Sequence, residues 1–311
     1  MARLMLLDTA SLYFRAFYGV PDTIRRSDGT PVNAVRGLLD MIARLTTEYG
    51  ATHLVACWDN DWRPQWRVDL IPSYKSHRVA EIVADGPDLE VVPDPLEAQI
   101  PLIRRVLGLA GIAVVGVDGY EADDVAGTYT SHATMPTDVV TGDRDLFQLV
   151  DDDRGVRVIY TARGMKNLEM VTDVVVVGKY HVLPQQYADF ATLRGDASDG
   201  LPGVAGIGEK TASSLLGRYG SLQALLEAAQ DPDGGVSATV GAKLAAAAEY
   251  LKVAPAVVRV ARDLTVPALE EVHAELAPIT GEARRELEGL ASEWNLGGSV
   301  KRLLEAFDAQ R

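Results

Sequence analysis

"RLMLLDT" (residues 3–9) sets four consecutive apolar residues in front of an aspartate. So short an apolar run, closed by a charge, fits a buried strand whose end reaches solvent. "HLVACWDND" (53–61) repeats the pattern and ends in Asp59. "IAVVGV" (112–117) and "DVVTGDRD" (138–145) repeat it again, the second closing on Asp143 and Asp145. Between them lie segments such as "VRGLLDMIARLTTEYG" (35–50), whose apolar residues recur at helical spacing. Apolar strands alternating with helices predict a mainly parallel α/β sheet flanked by helices. Ligands of such sheets bind outside the carboxyl ends of the strands. Asp8, Asp59, Asp143 and Asp145 all fall there.

"GYEADDVAGT" (119–128) places Glu121, Asp123 and Asp124 within four positions. Alone, the triplet suits a helix N-terminus, where acids favour the macrodipole, as well as it suits a cation site. On a helix starting near Glu121, positions 121 and 124 share a face. Joined to the strand-end aspartates it makes a different case. Two ionised carboxylates about 4 Å apart repel by roughly 4 kcal/mol at an effective dielectric of about 20. Seven of them in one cleft require cations, and oxygen-only ligands select Mg²⁺ or Mn²⁺ over zinc. Two such ions suit phosphodiester hydrolysis by clamping the attacking and leaving oxygens. The five histidines show no ligand spacing.

The chain of 311 residues is long enough for one large domain or two ordinary ones. Its net charge of −14 argues against a generic polyanion binder. The acidity is uneven: residues 1–80 are net +2, residues 81–160 net −11 and residues 161–311 net −5. The longest apolar candidate, "LGLAGIAVVGV" (107–117), is too short to span a membrane and reads as a helix end feeding a buried strand. "MARLMLLDTA" meets Asp8 too early for a secretory segment. Cys57 is the only cysteine, so no internal disulfide can form, which fits a reducing cytosol. A cytoplasmic, bacterial location is expected.

Residues 64–95, basic, aromatic and proline-rich, interrupt the alternation and read as a lid or arch over the strand edge. From about residue 180 the chain reads as helical. "DPDGGVS" (231–237) is a surface turn, "GAKLAAAAEYLKVAPAVVRVARDL" (241–264) an Ala-rich helix, and residues 279–296 and 299–310 are closing helices. "GDASDGLPGVAGIGEKTASSLL" (195–216) is no Walker A loop, because Glu209 separates Gly208 from Lys210. It fits a hairpin between helices, in which Gly203, Gly206 and Gly208 let backbone N–H groups approach a phosphate. Lys210 and Thr211 then open the next helix. Such contacts grip a sugar–phosphate strand without reading bases.

"LLDTASLYFRAFY" (6–18), "WDND…WR…YKSHR", "YEADDVAGT", "VVTGDRDLFQLV" and "GDASDGLPGVAGIGEKTA" occur in this order across roughly residues 4–220. Together they resemble the bacterial 5′-nucleases, or flap endonucleases, a family that includes the N-terminal 5′-3′ exonuclease domain of DNA polymerase I. The resemblance implies a PIN/resolvase-like core over residues 1–177 with a helical arch near 64–95. It implies a helix–three-turn–helix DNA-binding subdomain over 178–265, and C-terminal helices over 266–311 that pack back on the core. The implied activity is metal-dependent hydrolysis of DNA at 5′ flaps, nicks and 5′ ends, in replication and repair, by a monomer. Asp8, Asp59, Glu121, Asp123, Asp143 and Asp145 would hold the metals nearest the scissile phosphate. Asp124 and, on the resemblance alone, Asp196 and Asp199 would hold a further ion or its waters. Two or three Mg²⁺ or Mn²⁺ ions per site are expected, and a monovalent cation at the glycine-rich hairpin.

Lys75 and Arg78 would stabilise charge on the phosphate, Tyr74 would stack on a base, and Arg15 would touch the DNA backbone. The chain departs from the family pattern at Trp58, commonly Phe, and at Gly200, commonly Asn. An RNA-cutting PIN-type nuclease and a non-enzymatic DNA-structure binder are the competing readings. The glycine hairpin speaks against the first and the intact acidic set against the second.

Overall fold

The four apolar runs become neighbouring parallel strands. The computed structural model describes residues 2–83 and 86–309. Its main sheet has the order β5 (Ala113–Val115), β2 (His53–Cys57), β1 (Leu4–Asp8), β6 (Thr137–Thr141), β7 (Val156–Tyr160), β8 (Glu169–Val171). A separate hairpin pairs β3 (Val79–Glu81) with β4 (Leu89–Glu90). Within the main sheet only β8 runs antiparallel to its neighbour. The chain steps outward from β1 through β2 to β5, then returns to lay β6 on the other side of β1. The order therefore reverses between β1 and β6, and a crevice opens at the carboxyl ends of those strands.

Strand alternation divides the apolar residues between two cores. Met5, Leu7, Leu54 and Ala56 face one layer, with α1 (Thr9–Gly19), α2 (Asn33–Tyr49) and, after the short α3 (Gln65–Leu70) and α4 (Asp94–Glu97), α5 (Ile100–Leu109). Leu4, Leu6, Val55 and Cys57 face the other, where α6 (Ala122–His132) packs. Beyond α7 (Asp173–Tyr180) the chain is helical: α8 (Tyr187–Arg194), α9 (Glu209–Tyr219), α10 (Leu222–Gln230), α11 (Ala238–Ala246) and α12 (Ala248–Val258). Last come α13 (Gly281–Glu293) and α14 (Gly297–Asp308), whose Leu287, Leu290, Leu303 and Phe307 join the first core. Arg302 of α14 bonds Asp40 of α2 through both carboxylate oxygens.

Two segments differ from expectation. The Ala-rich stretch is two helices, broken at Ala247 and ended at Val258, not one. The span 64–95 is helical only in α3, in a 3₁₀ turn at Ser76–Arg78 and where α4 begins at Asp94; the rest of its described residues form turns and the β3–β4 hairpin. Ile71, held extended before Pro72, ends α3, because the proline ring disfavours helical geometry in the residue before it. Ala84 and Asp85 of the expected arch lie outside the described residues.

Candidate active site

A cleft of about 1150 Å³ lies over the β1–β6 crevice and is lined by Asp8, Asp59, Glu121, Asp123, Asp143 and Asp196. Asp8 closes β1 and caps α1, so one oxygen accepts from the Ser11 N–H at 3.1 Å and the other from the Thr141 hydroxyl at 2.7 Å. Asp59, just past β2, accepts from the Ala122 N–H at 2.7 Å and so ties that strand end to the start of α6. Asp143, just past β6, accepts from the Asp145 N–H at 2.8 Å. Asp8 and Asp143 are aimed by turns that their own side chains help to close, and Asp59 by a bond across to α6.

Glu121 caps α6 and is the most crowded of the set. It accepts from the Tyr74 hydroxyl at both oxygens and from the Lys75 ammonium at 2.9 Å, with Arg67 at 3.2 Å. Lys75 itself sits at φ +47, a left-handed conformation that a non-glycine residue adopts only when its surroundings hold it there. Its N–H donates to the carbonyl of Asp199, and the Ser73 hydroxyl donates to the carbonyl of Gly200. A Cβ at Gly200 would lie 2.0 Å from the Ser73 carbonyl oxygen, so the glycine at this departure from the family pattern permits the clasp.

Asp145 and Asp199 do not line the cleft but are buried beside it, each with one carboxylate oxygen lacking a hydrogen-bond partner. Arg78 approaches Asp199 at 3.5 Å and donates to the Ser198 carbonyl. Asp196 is shared between Arg194 at 3.0 Å and Arg144 at 3.6 Å.

Three assignments are corrected. Tyr74 is only 3% exposed, and its hydroxyl is committed to Glu121, so it positions a carboxylate and offers no face to a base. Asp124 is 0% exposed and gripped by both terminal nitrogens of Arg67, at 2.7 and 2.8 Å, and by the N–H groups of Glu121 and Ala261. Its charge is already neutralised, which leaves no lone pair open to a metal or its waters. Gly203 is buried, and a Cβ there would lie 2.5 Å from the Gly195 nitrogen; it permits packing on the end of α8 and does not present its N–H to DNA. Gly206, Gly208 and Lys210 remain exposed, with Thr211 half-buried, at the N-terminus of α9, away from the cleft. Lys243 of α11 donates to the Gly206 carbonyl at 2.8 Å, so a fixed ammonium already uses one oxygen that a monovalent cation at this hairpin would need.

Arg67, Ser11 and Thr141 lie within the family motifs, but no spacing marks out what they do, and Lys243 lies outside those motifs. Arg67 and Lys243 act across elements distant in sequence, which no local spacing announces.

The electrostatics are those of acids held together without enough positive charge. Burial, and then the neighbouring Asp59 charge, pushes Asp8 up to about 6; burial pushes Asp59 up to about 6 as well. Burial, then the charges of Asp8 and Asp143, raises Asp123 well above the carboxylate range. Burial, then Asp143 and Asp199, does the same to Asp145. Burial opposes the charge on Lys75, but Glu121 together with Tyr74, Asp199 and Asp123 outweighs it and holds the ammonium protonated. Among the described residues, no three His, Cys, Asp or Glu side chains converge closely enough to cage an ion. The donor set still fits hard cations that keep most of their waters: it is all oxygen, spread along one cleft, with a buried Asp145 oxygen beside it unpartnered.

A pH dependence follows. The folded pKa values of Asp8 and Asp59 lie above the unfolded ones, so their ionised forms destabilise the fold above about pH 6. That penalty, on the order of 3 kcal/mol or less for each, fades as pH falls from about 6 toward 4. The metal-free protein should therefore melt at a higher temperature near pH 5.5 than near pH 7.5, by the part of the penalty lifted there, about 1 kcal/mol for each group. Millimolar Mg²⁺ or Mn²⁺ should raise the neutral-pH melting temperature and flatten the dependence. Scanning calorimetry in chelator and in metal measures both, and identical curves would refute the crowding.

Comparison with known proteins places the chain. Residues 3–181 match the family model described as 5′-3′ exonuclease, N-terminal resolvase-like domain, and residues 182–279 match 5′-3′ exonuclease, C-terminal SAM fold. A 5′-3′ exonuclease of Streptomyces coelicolor is 56% identical over 98% of this chain and 100% of its own length. A DNA polymerase I of Mycobacterium bovis is 41% identical over 78% of this chain and 26% of its own. In fold, the chain resembles the T5 D15 protein co-crystallised with metal ions, with a TM-score of 0.64 at 16% identity, covering 98% of this chain and 99% of that one. It likewise resembles the catalytic core of Rad2 in complex with DNA substrate, with a TM-score of 0.59 at 15% identity over 98% and 92% of the two chains.

Proposed function

The chain belongs to the 5′-3′ exonuclease family, and from that premise we propose a divalent-metal hydrolase that cuts DNA at 5′ flaps, nicks and 5′ ends. The observation that carries the metal requirement is the row of crowded oxygen ligands at the β1–β6 crevice, with one buried Asp145 oxygen unpartnered beside it. Asp8, Asp59, Glu121, Asp123, Asp143 and Asp145 would hold Mg²⁺ or Mn²⁺, and Asp196 and Asp199 a further ion or its waters. Bound there, the ions supply an activated water and neutralise charge on the scissile phosphate.

The chain's own groups do the rest. Lys75 and Arg78, on the cleft wall, place positive charge where the phosphate gains negative charge. Arg15, beside Gly142 on the cleft wall, meets the DNA backbone. The exposed amides of α9, with Lys210, grip the duplex without reading sequence. The enzyme works as a monomer in the cytoplasm, in replication and repair; the buried, lone Cys57 thiol is compatible with that setting.

The test is polarity. With Mg²⁺ or Mn²⁺, a 5′-flap labelled at its 5′ end should release a short oligonucleotide, while a 3′-flap stays whole. Chelator should stop the reaction. Equal cutting of both flaps, or cutting in chelator, would overturn the reading.

A further inference from the structure

The hairpin before α9 carries a cation that belongs to the chain itself. Lys243 of α11, 37 positions away in sequence, donates to the Gly206 carbonyl at 2.8 Å. A Cβ at Gly206 would lie 2.9 Å from its Nζ and 3.1 Å from its Cε, so the lysine lies flat across the glycine. Gly206 also sits at φ +75, so the turn and the lysine both call for a residue without a side chain. Val204 and Ile207 of the hairpin and Leu244 of α11 are buried in one core, which fixes the two elements against each other. Lys75 and Lys179 find carboxylates, in Glu121 and Glu169. Among the described residues Lys243 has none, although the chain carries a net charge of −14. Glu209, the first residue of α9, leans to Arg194 at 3.5 Å. Beside the ammonium, the N–H groups of Gly206, Gly208, Glu209 and Lys210 have no partner among the described residues, and all four residues are exposed.

Free amides at a helix start attract an oxygen anion, and a fixed positive charge next to them strengthens that attraction. A lysine ammonium has three protons to donate. One is spent on the Gly206 carbonyl, which aims the group, and two remain for an anion. A dissolved alkali ion at the same carbonyl would come and go with the salt, whereas the tethered ammonium cannot leave. We propose that Lys243 is a DNA-phosphate ligand, the chain's own replacement for a dissociable cation at this hairpin. One phosphate of the duplex backbone then accepts from the free amides of α9 and from the Lys243 ammonium together. The assignment rests on the reading above that this hairpin grips duplex DNA. It adds a residue from α11 to that grip, and makes the grip indifferent to which monovalent cation the buffer holds.

The test measures affinity for a labelled nicked duplex by fluorescence anisotropy, in chelator so that nothing is cut. Potassium chloride is compared with tetramethylammonium chloride at equal ionic strength, since the second cation is too bulky to sit against a carbonyl. The wild-type protein should bind equally in both salts. Lys243→Met keeps the apolar stem and removes the charge. Its affinity should fall about tenfold, on the order of one charge-assisted contact, and its slope of log affinity against log salt should shrink by about 0.9. Lys210→Ala serves as the control on the grip, and melting curves check that both variants fold. Wild-type binding several-fold tighter in potassium would overturn the proposal, because a free cation would then be taking part. So would Lys243→Met with unchanged affinity while Lys210→Ala weakens binding, or a loss of affinity with no change in slope, which is lost packing and not a lost phosphate contact. If neither variant binds more weakly, the hairpin does not hold the duplex, and the reading beneath the proposal fails instead.

Discussion

Asp143→Asn should slow DNA cleavage by at least 10²–10³-fold, on the order expected for losing one charged group at the reacting phosphate, while the folded protein still binds DNA. The structure predicts that the variant folds well. The Asp143 oxygen accepts from the Asp145 N–H at 2.8 Å, and an asparagine carbonyl can take the same bond. Asp143 also contributes to raising its neighbours Asp123 and Asp145, so removing its charge relieves repulsion in the metal-free state. Activity and metal-free stability should therefore move in opposite directions: the rate collapses and the melting temperature holds or rises. Single-turnover cleavage with enzyme in excess, beside a melting curve in chelator, measures the pair. A variant that retains its rate at limiting Mg²⁺, or loses rate only because it unfolds, would contradict Asp143 as a ligand.

The second large effect is on the fold. Arg67 is buried and bonds Asp124 through both terminal nitrogens, the Val257 carbonyl through Nε at 3.2 Å, and Glu121 at 3.2 Å. It thereby joins the segment after β2, the N-terminus of α6 and the end of α12. Arg67→Ala leaves the buried Asp124 carboxylate without its cation and removes one of the two cations at Glu121, a change that costs about 3–5 kcal/mol. In a chain this size the melting temperature should drop by roughly 5–8 °C. Arg67→Lys should not rescue fully, because an ammonium cannot make the paired bonds to Asp124. Arg67→Met with Asp124→Leu should recover much of the loss, since a buried pair replaced whole by apolar groups is close to neutral. An Arg67→Ala protein with wild-type stability would show that the pair is not the joint described here.

The sheet and most of the acidic cleft were legible in the sequence because both follow from local order. An apolar run closed by aspartate specifies a buried strand and the place where its end meets solvent, and four such runs fix which edge of the sheet is acidic. That reasoning located Asp8, Asp59, Asp143 and Asp145, and the helix start at Glu121. It could not separate the carboxylates that face the cleft from Asp124, one residue beyond Asp123. Their difference is set by a guanidinium 57 positions away in the chain. Tyr74 and Gly203 were misplaced for the same reason: burial is a property of what packs on a residue, and here the packing comes from Glu121 and from the end of α8. The amino-acid order by itself determined the strands, their acidic ends and the family motifs, since these depend on neighbours along the chain. Which acids stay free for a cation was decided only by tertiary structure, because neutralising a buried charge takes a partner brought in from elsewhere in the fold.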